Sequence, residues 1–183
     1  MGRVSHAQAQ ENRQRVVATA ARLFREKGTG TSIADVMQAA GMTHGAFYRR
    51  FPSKDALVGE AVSWAFAELE GRLTPADDER GAARQALIDW YLSAGHRDDA
   101  ANGCPSAGLA ADMARDAGGA SAQQAYADGV RDFAGRLALD GGSEGLADLA
   151  TMVGAVLLAR ATRGLPLSDQ ILHAAHNSLS AGA

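Results

Sequence analysis

Apolar residues fall at Ile33, Val36, Met37 and Ala40, a spacing of i, i+3, i+4, i+7 that predicts a short helix with one buried face. Ser32 stands where a side chain can cap its start, and Gly41 directly follows the last periodic position, where a left-handed residue closes a helix. Thr43 can then cap a second helix over residues 43–51, with Ala46 and Phe47 inward and Thr43, His44, Gly45, Tyr48 and Arg49 outward. An earlier helix is predicted over residues 9–27. Val17, Ala20, Ala21 and Phe24 form its inner stripe, Arg13, Arg15, Arg22 and Arg25 are spread over the rest, and Gly28 stops it. Ser53, Lys54 and Asp55 open a longer helix carrying Leu57, Val58, Ala61, Val62, Ala65 and Leu69.

The acidic, proline-containing run TPADDERG marks the sharpest break in the pattern, near residues 73–81. Beyond it the 3.6-residue period recurs and no strand alternation is found. Helices are predicted over residues 81–94 (Ala83, Leu87, Trp90, Tyr91 and Ala94 inward), from Cys104 or Pro105 to the glycines at 118 and 119, and over 121–139 (Tyr126, Val130, Phe133 and Leu137), ended by the glycines at 141 and 142. Two more cover residues 143–164 (Leu146, Leu149, Val153, Val156, Leu157) and 168–179 (Ile171, Leu172, Ala175, Leu179). The run HRDDAANG between the first two reads as a polar loop. The expected fold is all-α, about nine helices, with a three-helix N-terminal head over residues 1–60 and a helical body over 61–183.

Composition changes this picture little. The 183 residues are 46% hydrophobic and 21% charged, ordinary for a globular chain, and no apolar run reaches membrane-spanning length. The polar start MGRVSHAQAQ lacks an apolar signal segment, and a single cysteine cannot build a disulfide framework; both predict a cytoplasmic protein. Charge is more telling. Residues 1–60 hold nine Lys and Arg against five Asp and Glu, whereas the remainder holds nine against sixteen. A basic head on an acidic body favours oriented approach to a polyanion.

Two short helices joined by a glycine turn, the second showing hydroxyl, imidazole, small and cationic side chains, have the chemistry of a major-groove reader. Thr43, His44 and Gly45, first on that helix, are the candidates for base edges. Residues 13–62 resemble the N-terminal domain of the tetracycline-repressor (TetR) family of bacterial transcription regulators, through RVVATAARLFREKG, TSIADV, AGMTHGAFYRRF and PSKDAL in order. The chain departs from that pattern at Thr29, where many relatives carry an aromatic residue, and at His44, where many carry lysine. The resemblance implies phosphate contacts from Tyr48, Arg49 and Lys54, with hydroxyl or N–H contacts from Thr31 and Ser32, and leaves Arg50 open. It also implies operator DNA as partner, a homodimer formed by the last two helices (residues 146–161 and 171–179, with Gly154, Ala155 and Ala159 allowing close approach), and a small-molecule effector.

Candidate effector-lining residues in the body are Trp64, Trp90, Tyr91, Met113, Tyr126 and Phe133, although an aromatic stripe at helical spacing equally describes a core. Cys104 precedes Pro105, which suits a first helical position, so the sulfur is expected at a helix N-terminus, where thiolate is favoured and can sense oxidants or electrophiles. Some similar regulators carry a Gly-Cys-Pro segment here. A buried, inert cysteine is the alternative. His173 and His176 with Asp169 could face one metal site, and Cys104 with His96 could form a nucleophile and base; neither pattern supplies a full ligand set or an orienting partner, so no metal, cofactor or catalysis is expected.

Overall fold

The computed structural model describes residues 6–72, 80–116, 118–138 and 144–181. Among these residues there are ten α-helices and no strand: α1 (His6–Lys27), α2 (Ile33–Ala39), α3 (Lys54–Arg72), α4 (Arg80–Tyr91), α5 (Ala94–Asp98), α6 (Pro105–Gly108), α7 (Ala110–Met113), α8 (Gly119–Leu137), α9 (Glu144–Ala161) and α10 (Pro166–Ser180). The all-α expectation holds. The extra helices are short: α5 is a single turn that runs from Ala94 into the expected polar loop HRDDAANG, formed because the Ser93 hydroxyl accepts the His96 N–H at 3.1 Å. Of the expected break near residues 73–81, residues 73–79 lie outside the described residues, as do the glycines 141 and 142, while residues 80 and 81 already belong to α4.

Two apolar cores organise the chain. The first joins Val16, Val17, Ala20, Ala21 and Phe24 of α1 to Val36 and Met37 of α2, to Phe47 and Phe51, and to Leu57, Val58, Ala61 and Val62 of α3. The second gathers Leu69, Ile88, Tyr91, Phe133, Leu149, Met152, Val156, Leu172 and Leu179. Since α3 runs unbroken past residue 60 and feeds both, head and body share a rigid strut; Leu109, Met113 and Ala122 of the body also enter the first core.

Two arginines are buried, and Arg25 among them departs from its expected place on the outer part of the first helix. Arg25 is buried: its guanidinium meets Glu68 at 2.8 Å and the Gly103 carbonyl at 3.3 Å, with Gly108 against its stem. Arg84, also buried, bonds Asp148 at 2.7 Å and the carbonyls of Leu137 and Leu179, a cation set at the ends of α8 and α10. Ile88 replaces Ala94, which is exposed, on the inner face of α4 and its continuation.

Candidate nucleic-acid interface

Local chemistry explains the turn between α2 and the reading segment. Ser32 is extended (φ −70°, ψ 152°), and its hydroxyl accepts the Asp35 N–H at 3.1 Å while donating to the Asp35 carboxylate at 2.7 Å. At the other end Gly41 takes φ +72°, its N–H bonds the Gln38 carbonyl at 3.0 Å, and the Met42 N–H reaches the Met37 carbonyl at 2.8 Å. This paired closure is a Schellman motif, and it requires the left-handed glycine.

The reading segment differs from the expected helix over residues 43–51. A 3-10 turn covers His44–Ala46, closed by Ala46 N–H to Thr43 O and Phe47 N–H to His44 O, both at 3.0 Å, and Arg50 N–H to Phe47 O continues the tight turns at 2.8 Å. Thr43 has cap-like backbone angles but makes no side-chain cap bond. Without that cap, with Gly45 adding about 1 kcal/mol of helix cost and Pro52 forbidding continuation, a nine-residue α-helix is marginal, so the backbone closes 3-10.

Side chains nevertheless face as expected. Ala46 and Phe47 are buried, whereas Thr43, His44, Gly45, Tyr48 and Arg49 are exposed, Tyr48 by 65%. Phe47 stacks on Phe51 with centroids 5.4 Å apart, and Tyr48 stands edge-on to Phe47 at 5.2 Å and to His44 at 5.9 Å. A buried ring pair thus holds two exposed rings and a cation on one face. Lys54, half-buried, begins α3 behind them, where Ser53 Oγ accepts the Ala56 N–H at 3.1 Å. Arg50 folds back, donating to the Ala46 carbonyl at 2.8 Å. The hydroxyl of Thr31 donates to Gly28 O at 2.8 Å, so at Thr31 and Ser32 both hydroxyl protons are already used within the chain.

The body candidates do not converge on one pocket. Tyr91, Cys104 and Phe133 are buried in the second core, with Trp90 against Tyr91 and His96. Met113 belongs to the first core, Tyr126 donates to the Ser106 carbonyl at 2.6 Å, and Trp64 lies apart, 37% exposed. Cys104 does cap α6 with Pro105 at its first position, but the sulfur is buried rather than partly open. Burial pushes the thiol up from its ordinary value, only partly offset by the donors of Ser106, Tyr91 and Ala107, so the thiolate expectation is not met. The main-chain N–H of Cys104, not its thiol, meets His96 Nε2 at 2.9 Å, while Nδ1 of His96 donates to Tyr91 O at 2.7 Å. That leaves no nucleophile and base pair. His176 pairs with Asp89 at 2.7 Å and His173 with Asn177 at 3.0 Å, and among the described residues no group of three His, Cys, Asp or Glu side chains could hold a metal.

His96 carries a pH prediction. Burial lowers its pKa from 6.5 to about 4, so the fold holds imidazole neutral while the unfolded chain binds a proton between those values. Its stabilisation is complete above pH 6.5 and is lost as pH falls toward 4, a loss on the order of 3 kcal/mol. Urea midpoints at pH 7 and pH 4.5 should show this drop in the parent chain and a smaller one in His96→Gln; equal drops would contradict it.

An exposed reader on a buried ring pair, joined by a glycine turn to α2, defines a helix-turn-helix DNA-binding protein. The sequence profile described as bacterial regulatory proteins, tetR family, matches residues 16–61. An HTH-type transcriptional regulator of Mycobacterium tuberculosis is 34% identical over 192 residues, covering 92% of this chain and 94% of that protein. A TetR transcriptional regulator from Chloroflexus aurantiacus superposes with TM-score 0.77 at 26% identity, over 96% of this chain and 95% of that one. The reduced form of Escherichia coli NemR shares the fold, with TM-score 0.74 at 19% identity, over 93% and 96% of the two chains. The chain belongs to the TetR family of transcriptional regulators.

Proposed function

We propose that the protein is a repressor that binds an inverted-repeat operator as a homodimer in the cytoplasm and is released by a small-molecule effector. The observation that carries the DNA half of this reading is the exposed patch of His44, Tyr48 and Arg49, held by the buried Phe47 and Phe51 rings. Thr43, His44 and Gly45 read base edges. Tyr48, Arg49 and Lys54 hold phosphates; with both hydroxyl protons spent and the Thr31 N–H bonded to Gly28 O at 3.2 Å, the N–H groups of the first turn of α2 are the donors offered beside Ser32. One head covers a half-site; the exposed leucines of α9 and α10 supply the face for pairing two.

Selection of bound fragments from random duplex DNA, repeated in rising salt, tests the reading and should recover an inverted repeat. Tyr48→Phe should weaken every site alike by about 1 kcal/mol, the worth of one hydrogen bond. Lys54→Ala should lower the salt slope by about one phosphate per head. His44→Ala should instead change which base is preferred at one position per half-site, by about 1–3 kcal/mol. An unchanged preference in that variant removes His44 from base reading, and recovery of no fragment at low salt removes the function.

A further inference from the structure

A cleft of about 610 Å³ opens where α1, α3 and α8 meet, on the reading-head side of the strut. Buried Val17 and the part-exposed Trp64 ring give it apolar surface; Arg13, Glu60, Ser63 and Ser121 give it polar groups. Its size lies within the range of small-ligand sites, about 300–1,000 Å³. By contrast, the space between α3 and α8 beside Phe66 and Phe133 is only about 210 Å³.

Arg13 and Glu60 face each other as a two-toothed ion pair, with Nη2 to Oε1 at 2.6 Å, and each side chain keeps more than a third of its surface open. Guanidinium only donates and carboxylate only accepts. Bonded to each other, the two still keep outward N–H and lone-pair positions that a ligand edge able both to donate and to accept can use together, whereas an anion meets Glu60 and a cation meets Arg13 unfavourably. The Trp64 ring adds a stacking surface for a planar partner.

Arg13 also belongs to the reader. Its guanidinium carbon lies 4.7 Å over the Phe51 ring, Phe51 stacks on Phe47 at 5.4 Å, and Phe47 supports Tyr48 at 5.2 Å. A bound molecule that draws the guanidinium toward the cleft takes it from the face of Phe51, the ring that backs Phe47 and, through Phe47, Tyr48.

We infer that this cleft is the effector site, taking a neutral planar aromatic molecule whose edge both donates and accepts a hydrogen bond, and that it weakens DNA binding through Arg13. The inference rests on the reading of the protein as an effector-released DNA binder. Coupling of this kind is reciprocal: operator duplex must lower affinity for the ligand by the same factor by which ligand lowers affinity for duplex.

The 183 residues contain two tryptophans, so protein labelled with nitrogen-15 at tryptophan gives two indole signals, assigned by Trp64→Phe. Four probes separate the chemistries: 2-naphthol, 2-naphthoate, 2-naphthylmethylammonium and naphthalene. The expected result is a Trp64 indole shift with 2-naphthol, at least about tenfold tighter binding than for the other three, and equal mutual weakening with duplex. Arg13→Met should cut 2-naphthol affinity about tenfold and abolish the mutual effect, with duplex affinity measured in its own right for that variant. Movement of the Trp90 signal alone, or no shift, overturns the site; tightest binding of a charged probe or of naphthalene overturns the ligand class; indifference of 2-naphthol affinity to duplex overturns the coupling. Failure to bind duplex with no probe present sinks the regulator reading and leaves the probe comparison standing.

Discussion

Glutamate at Leu158 is expected to leave a folded but monomeric chain that binds an inverted-repeat operator about a hundredfold more weakly or worse, because two linked heads gain about 10²–10⁴ in avidity over one. Leu146, Leu157 and Leu158 of α9 are 53%, 41% and 58% exposed, and Leu165 and Leu167 at the start of α10 are 60% and 48% exposed. The inner faces of the same helices are spent on Leu149, Met152, Val156, Leu172 and Leu179, so the outer leucines contribute nothing to the core of one chain. Several leucines left in water on one pair of helices are the apolar surface on which the proposed pairing is placed. Gly154 on α9 would carry a Cβ with nothing within 4 Å, which leaves room for a second helix to approach closely. A charge at Leu158 is cheap in the monomer, within about 0.5 kcal/mol for an exposed position, and costly in a covered one. Sedimentation should show half the parent mass, and binding to a duplex holding one half-site should be unchanged. A variant that stays dimeric with full operator affinity would place the pairing surface elsewhere.

Most of the reading head was legible because its parts obey local rules. Ser32 caps, Gly41 turns left-handed, and Ala46 and Phe47 alternate in and out with Tyr48 and Arg49 as helical spacing dictates. The tight closure of the reader was not legible: it depends on a cap bond that Thr43 could make and does not. Residue type misled at Arg25, since a charged side chain on a helix reads as solvated, and nothing in the spacing marked Arg84 as buried. Both are buried because carbonyl groups and carboxylates distant in sequence, Gly103 and Glu68 for one, Leu137, Leu179 and Asp148 for the other, converge on them. Cys104 failed in the opposite sense. Its place at a helix start was readable from Pro105, but its burial was not, because the groups that enclose it come from α4 and from His96. Gly103 beside it has a tertiary reason for lacking a side chain: a Cβ would lie 2.9 Å from Arg160 Nη2 and 3.1 Å from His96 Nε2. Among the expected effector residues, Trp64 alone lines the cleft between α1, α3 and α8, and nothing in its spacing distinguished it from Trp90 or Tyr91.

Alanine at Gly145 should be among the most damaging single changes, costing about 3 kcal/mol and lowering the melting temperature by roughly 6–12 °C for a chain of this size. Gly145 opens α9 where it crosses α8, and a Cβ there would stand 2.1 Å from the Ala134 carbonyl oxygen and 3.0 Å from the Ala138 nitrogen. Both are main-chain atoms near the end of α8, which Arg84 fixes further by donating to Leu137 O at 3.2 Å. No rotamer change relieves such a contact, so α9 must move as a body away from α8. That motion loosens Leu149 and Met152 from Phe133, Ala134 and Leu137 in the second core, and it displaces the leucines on the outer face as well. The same substitution nine residues on, Gly154→Ala, meets open space and gains helix propensity of about 1 kcal/mol. In the Leu158→Glu background, chosen to remove any contribution from the proposed pairing, urea titration should therefore give opposite signs: Gly145→Ala lowers the midpoint and Gly154→Ala raises it. Destabilisation by both would mean that α9 resists any added methyl group, and the crossing at Ala134 would lose its special role. If neither change moves the midpoint, α8 and α9 are not in the close contact described.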